Sequence, residues 1–268
     1  MAHHDLASGG RRRHPGSYVR SVTRPTEPPA RDPDCDVEFF WDPVCPFAWL
    51  TSRWLIEVSS RRELNIDWRF ISLRLINKDK DYDSHFPPGY EFGHTAGLRM
   101  LRVAAAIRDE LGRQALGPVV TAYGESYFDK PQGSGMRGRL STPDHLLEVL
   151  DRAGLDRGFA SAADDHGWDA MIDAEGEMAL ARTGRDVGTP ILTVTASEQS
   201  FFGPVISRVP MGEEAERLWD AVTTLASFPG FAELKRSLRE VPRLNILGGL
   251  TDEVVEEDWE AGHKRMDD

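Results

Sequence analysis

The sequence predicts an α/β chain whose single mixed sheet is interrupted by a large helical block. Three observations predict it. Val37-Glu38-Phe39-Phe40-Trp41, a helix opening on Pro46, and the alternating run Ile66-Asp67-Trp68-Arg69-Phe70-Ile71 form a β-α-β unit near the start. Apolar residues then recur at helical spacing over roughly 85–183. Two short β runs and a helix follow, from Ile191 onward, as a β-β-α unit.

Each element has a local reason. The first strand covers roughly 36–41, and the first helix runs from about Pro46 to Ser59 with Phe47, Leu50, Trp54, Leu55 and Val58 on one stripe. The β-α-β unit implies parallel strands and a right-handed crossover. In the helical block, Leu98, Leu101, Val103, Ala104 and Ile107 mark one helix. Ser141-Thr142-Pro143-Asp144 starts another, with a capping hydroxyl followed by proline at the first helical position. A helix over 168–181 is expected to end at Gly184. Ile191–Thr195 and Phe201-Phe202 read as strands joined by a hairpin turn at Ala196-Ser197-Glu198-Gln199. A helix from about Gly212 to Ser227 and a shorter one after Pro229 complete the series.

The resulting division is a disordered tail over 1–34, a domain over 35–242 with an insertion at about 73–186, and an acidic tail over 243–268. The first segment has few large apolar residues and prolines at 15, 25, 28, 29 and 33. In the last segment Val254, Val255 and Trp259 suit a short docked helix.

The 268 residues are 40% hydrophobic and 28% charged, ordinary for a globular chain large enough to bury its own core. A net charge of -12 argues against nucleic acid, because phosphate binding needs a basic face. Half of that charge lies in residues 251–268, where eight acidic side chains face only Lys264 and Arg265. No secretory h-region and no membrane-length apolar run is present, so the expectation is a cytoplasmic protein with reduced thiols and no membrane partner. Cys35 and Cys45 flank a strand of roughly 20 Å at about 3.3 Å per residue. A disulfide needs Cα atoms within about 7 Å, so the two are not expected to bridge.

Cys45 is the centre of the chemical reading. It precedes Pro46 at a helix start, where unpaired backbone N–H groups and the positive end of the helix dipole favour a thiolate. An acidified, nucleophilic thiol is therefore expected. Three residues on, where a Cys-x-x-Cys redox motif carries its second sulfur, stands Ala48. Val187-Gly188-Thr189-Pro190, before the third strand, places a proline where it removes a ladder donor.

With these motifs the chain resembles the DsbA-like branch of the thioredoxin superfamily: a thioredoxin-like α/β fold with a large helical insertion. It is most similar to the mycothiol-dependent nitroreductase family of actinobacteria. The resemblance rests on residues 41–54 (WDPVCPFAWLTSRW), Val187–Pro190, Phe201–Arg208, and Gly212-Glu213-Glu214-Ala215 with Leu218-Trp219-Asp220. It implies a nucleophile at Cys45, a cis peptide before Pro190 facing it, and a lid formed by the insertion. It also implies a low-molecular-weight thiol, mycothiol, as reductant and co-substrate. The family pattern Cys-Pro-Trp-Cys is replaced here at Phe47 and Ala48, which removes the resolving sulfur and keeps the nucleophile.

The expected function is that of a monothiol oxidoreductase reducing disulfides or small electrophiles such as nitroaromatics. Cys45 and Pro190 are the catalytic candidates, and Trp41, Pro46, Phe47, Trp49 and Thr189 the substrate- or thiol-binding ones. Two alternatives stand beside it. One is a thiol-dependent transferase or isomerase of kappa-class type, in which Cys45 binds the cofactor without covalent chemistry. The other is a non-catalytic binding protein on the same fold, and a homodimer is left open in each case. The plainer readings are that Trp41, Trp49 and Trp54 are core aromatics, Asp42 caps a turn, and Arg53 and Arg208 are surface arginines. Gly133–Gly138 fits G-x-G-x-x-G but follows a helix, so it reads as a loop. His85, His94, His145 and His166 lack metal-ligand spacing, and no metal is expected.

Overall fold

The computed structural model describes residues 23–235, 238–249 and 256–258. The central sheet has the order β2-β1-β3-β4. Its strands are β1 (Val37–Trp41), β2 (Ile66–Phe70), β3 (Ile191–Val194) and β4 (Gln199–Phe202). β1 is parallel to β2, with Phe39 opposite Trp68, and antiparallel to β3, with Phe39 opposite Leu192. β3 and β4 form the expected hairpin. This order and these directions are those of a thioredoxin-like fold.

Strand alternation decides what each face carries. Val37, Phe39 and Trp41 of β1 enter the larger core, while Phe40 enters a smaller one with Ile71, Ala179, Leu180 and Ile191. On the larger side lie α1 (Pro46–Arg62) and α8 (Glu213–Ala226). Fully buried Trp54 of α1 donates its indole N–H to Ala215 O of α8 at 2.9 Å. Burying side chains such as Phe39, Leu50 and Leu55 contributes about 1.5–3 kcal/mol each.

Six α-helices separate β2 from β3: α2 (Leu73–Ile76), α3 (Tyr82–His85), α4 (Tyr90–Leu111), α5 (Leu116–Tyr127), α6 (Pro143–Arg152) and α7 (Asp169–Thr183). They form the insertion. A buried ionic cluster fixes it to the sheet. Arg69 of β2 contacts Glu38 of β1 at 3.0 Å and Glu175 of α7 at 2.8 Å, and Arg108 of α4 closes on Glu175 at 2.9 Å. Glu38, Arg69 and Glu175 have almost no exposed surface, so removing one partner would leave an uncompensated charge in the interior.

Several boundaries differ from the sequence reading. Among the described residues no α-helix follows Pro229; residues 231–235 are irregular, and Phe231 packs its ring 6.0 Å from Phe201. Residues 23–34, read as tail, lie along the domain. Arg24 pairs with Asp165, and Pro29 O accepts from Arg69. In the last segment, buried Leu244 and the bond from Ile246 N to Phe128 O hold residues 243–249 against the end of α5. Two further strands, β5 (Leu238–Glu240) and β6 (Glu256–Asp258), pair antiparallel. Val254, Val255 and Trp259 lie outside the described residues. No helix among the described residues is long and apolar enough to cross a membrane.

Candidate active site

Cys45 is the N-cap of α1 and Pro46 its first residue. The Cys45 backbone is extended (φ −81°, ψ 116°), which turns Sγ back over the helix start to accept from Ala48 N at 3.4 Å. Across the sheet, Thr189–Pro190 is cis, and the Cys45 thiol donates to Thr189 O at 3.2 Å. Thr189 Oγ1 donates to Phe40 O at 3.3 Å, which ties the cis segment to β1. Sequence motifs 144 residues apart thus meet at one sulfur. Cys35 is also buried and free.

The expected acidification of Cys45 is corrected by this geometry. The residue is 5% exposed. Burial pushes its thiol up to about 12; the N–H groups of Ala48 and Phe47 work in the other direction, and nearby Asp42 adds to the rise. The helix start favours the thiolate as argued, but loss of water outweighs it. The thiol in this arrangement is protonated, consistent with its bond to Thr189 O.

Asp42 does more than cap the turn. Its Oδ1 accepts from Val44 N at 2.9 Å, and its Oδ2 accepts from Leu73 N, the first residue of α2, at 2.8 Å. One carboxyl therefore joins the cysteine turn to the insertion. Burial raises it to about 7, against the lowering effect of those two N–H bonds. Helix α4 comes close enough that a Cβ at Gly97 would lie 2.6 Å from Oδ1. Neither Gly97 nor the Leu73 contact leaves a local signal along the chain, because both depend on packing across the insertion.

Beside Ala48 lies a small cavity with room for about one water-sized group, lined by Trp41, Asp42, Trp49, Ser52, Gly124 and Phe128 among others. Trp41 and Trp49, expected at a substrate site, are in this wall; Phe47 is 8% exposed and is not among the lining residues, and Pro46 is half-buried. Trp49 stacks with Phe128 at 5.9 Å and lies directly on α5, where a Cβ at Gly124 would meet its ring at 2.0 Å. The Arg53 guanidinium sits 4.1 Å over the Trp49 ring and donates to Thr121 Oγ1 at 3.0 Å, whereas Arg208 pairs with Glu214 and Glu240. Among the described residues no cluster of His, Cys, Asp and Glu could hold a metal ion. His145 is structural: it accepts from Ser141 N and bonds Ser126 Oγ, and burial lowers it to about 4.

Comparison with known proteins adds three findings. The model of a family described as mycothiol-dependent nitroreductase Rv2466c matches residues 44–236. The uncharacterized protein Rv2286c of Mycobacterium tuberculosis (strain ATCC 25618 / H37Rv) is 29% identical over 201 residues, covering 75% of this chain and 81% of that protein. A solved 2-hydroxychromene-2-carboxylate isomerase aligns over 70% of this chain and 93% of its own, with 16% identity and a TM-score of 0.41.

Proposed function

The chain belongs to the Rv2466c-like mycothiol-dependent nitroreductase family, and from that premise we propose that it is a monothiol oxidoreductase with Cys45 as nucleophile. The observation that carries this reading is the placement of Cys45 Sγ between the first N–H groups of α1 and the carbonyl before cis-Pro190. The Cys45 thiolate attacks one sulfur of a disulfide, forming a Cys45–S–S–R mixed disulfide and expelling the other sulfur as a thiolate. An external thiol, for which mycothiol is the family's candidate, then attacks that bond. It leaves as a disulfide with R and returns Cys45 as the thiolate. Ala48 supplies no sulfur for an internal alternative. A small electrophile would enter at the same sulfur, with Trp41 and Trp49 walling its approach. The reaction requires reducing conditions, in keeping with a cytoplasmic setting.

Burial of the thiol requires that neighbouring groups move before it reacts. Opening would admit water, remove the contribution that raises Cys45, and leave the helix-start N–H groups to stabilise the anion. The experiment is intact-protein mass spectrometry after treatment with mycothiol disulfide. One mycothiol adduct on the wild type and on Cys35→Ser, absent from Cys45→Ser, is expected. An unmodified wild type would remove Cys45 as the nucleophile.

The protonated thiol lends support to one second reading, in which Cys45 hydrogen-bonds a cofactor thiol in a transferase or isomerase. Cys45→Ser retaining turnover would favour it.

A further inference from the structure

Residues 23–34 run from the insertion to the sheet, with an arginine holding them at each side. Arg24 pairs at 2.8 Å with Asp165, which caps the turn leading into α7, and lies 4.6 Å over the ring of fully buried Trp168. Arg31 makes two bonds to Glu198, between β3 and β4, at 2.8 and 2.7 Å. Between them, Pro29 O accepts from Arg69 of β2 at 2.8 Å, Asp32 N donates to Asp67 of β2 at 3.1 Å, and Ala30 O accepts from Arg113 at 3.0 Å. The segment is therefore tied to both layers at once. It lies ahead of residues 44–236, which the family match covers.

These ties reach the site by two routes. Arg113 stands in the short turn between α4 and α5, the helices that press on Asp42 at Gly97 and on Trp49 at Gly124. Holding that elbow keeps both helices down on the cysteine turn. Pro29 O, for its part, caps Arg69 in the ionic cluster that fixes α7 to the sheet. Without that acceptor a buried guanidinium N–H must turn to water, and water beside Arg69 weakens its pairs with Glu38 and Glu175. The insertion's chain connections to the sheet lie beside the site itself, where Leu73 N meets Asp42 and Thr189 O meets Cys45. Residues 23–34 add a closure that is non-covalent and largely electrostatic, and so releasable.

We propose that residues 23–34 are an inhibitory strap: docked, they hold the insertion closed over Cys45, and their release admits reagents to the thiol. The Arg31–Glu198 tie is exposed and contributes little, whereas Arg24 is only 12% exposed and lies against an indole, so Arg24 is the latch. The inference rests on the oxidoreductase reading only for the importance of Cys45; its test measures access to the sulfur.

The test is the rate at which iodoacetamide alkylates Cys45 in full-length Cys35→Ser protein, followed by mass spectrometry at fixed pH and salt. Arg24→Ala/Arg31→Ala unlatches the strap and alters no residue of the sheet, the insertion or the site. It should raise the rate about 3- to 10-fold, the shift in an opening equilibrium expected from losing a half-buried ion pair and a cation–π contact. Arg157→Ala/Arg185→Ala removes the same charge from exposed pairs with Asp151 and Glu177 and should leave the rate unchanged. Hydrogen exchange separates a loosened insertion from general destabilisation. The Val44 and Leu73 amides, both bonded to Asp42, should exchange faster in the strap variant, while the paired amides of β1 and β3 keep their protection. An unchanged alkylation rate, an equal rise in the control, or exchange that quickens equally in β1 and β3 would each overturn the assignment. If the double variant fails to fold, Arg24→Gln against Arg157→Gln decides by the same readouts. A wild type unmodified by mycothiol disulfide, with alkylation still faster in the strap variant, would defeat the oxidoreductase reading and leave the strap in place.

Discussion

Replacing Asp42 by asparagine tests the contact that joins the cysteine turn to the insertion. The carboxyl is buried and raised from an ordinary 3.8 to about 7. A folded-state value above the unfolded one means that the folded protein holds the proton more tightly. The group's stabilising contribution is then fully present below about pH 4 and is lost as pH rises through about 7. At roughly 1.36 kcal/mol per pH unit, the loss is on the order of 4 kcal/mol. An amide in its place has no such dependence. It also has a single acceptor oxygen for the N–H groups of Val44 and Leu73, so one is left unpaired at a cost of about 1–3 kcal/mol. The assay is urea unfolding of both proteins from about pH 5 to about pH 8, with the difference between them plotted against pH. Titrations common to both cancel in that difference. Asp42→Asn should be the less stable protein at the acid end, should gain on the wild type as pH rises to about 7, and should level off above it. A difference flat to within about 1 kcal/mol would mean that Asp42 titrates normally and is not enclosed between the turn and the insertion.

Ala48→Cys should restore an internal disulfide with Cys45, since the N–H of residue 48 already reaches Sγ at 3.4 Å. Mass spectrometry should find a long-lived small-thiol adduct on the wild type and its rapid expulsion from the variant, and equal adduct lifetimes would show that position 48 does not face Cys45. Gly124→Ala should destabilise by about 1–3 kcal/mol, because the new Cβ would meet Trp49 at 2.0 Å and force its ring aside. Gly117→Ala on the same helix, whose Cβ would stand 3.6 Å from Trp68 Nε1, should instead be neutral or gain up to about 1 kcal/mol from helix propensity; a matching loss at both sites would discredit the packing argument.

What could be read along the chain was local chemistry. Pro46 and Cys45 announce a helix start, Thr142 and Pro143 announce another, and alternation in β1 and β2 announces a sheet; each appears within a residue or a few of its expected place. Thr189–Pro190 was readable only through resemblance, since no spacing rule brings it to Cys45 across 144 residues. The helix expected after Pro229 is not seen among the described residues, where Phe231 packs near Phe201 and a short isolated turn has little stability of its own. Burial was the least legible quantity. Gly97 and Gly124 look like ordinary helix-weakening glycines in sequence, yet each marks a place where the insertion presses on the site.

That pressure explains why a helix start did not produce an acidic thiol. The helix N-terminus acts on Cys45 through two nearby N–H groups whose geometry is fixed by local sequence. Loss of water around the sulfur is set by distant residues, and it is the larger effect. The two also differ in what can change them. The N–H groups stay with α1 whatever the insertion does, whereas desolvation lasts only while the surroundings stay closed. Asp42 responds in the same sense, being both buried and bound to the first N–H of the insertion. With no sulfur at position 48 to trap an adduct, a thiolate held permanently at the surface would be open to any passing disulfide or oxidant. On the proposed mechanism, a sulfur kept protonated by its surroundings is protected by the same packing that a substrate would have to displace.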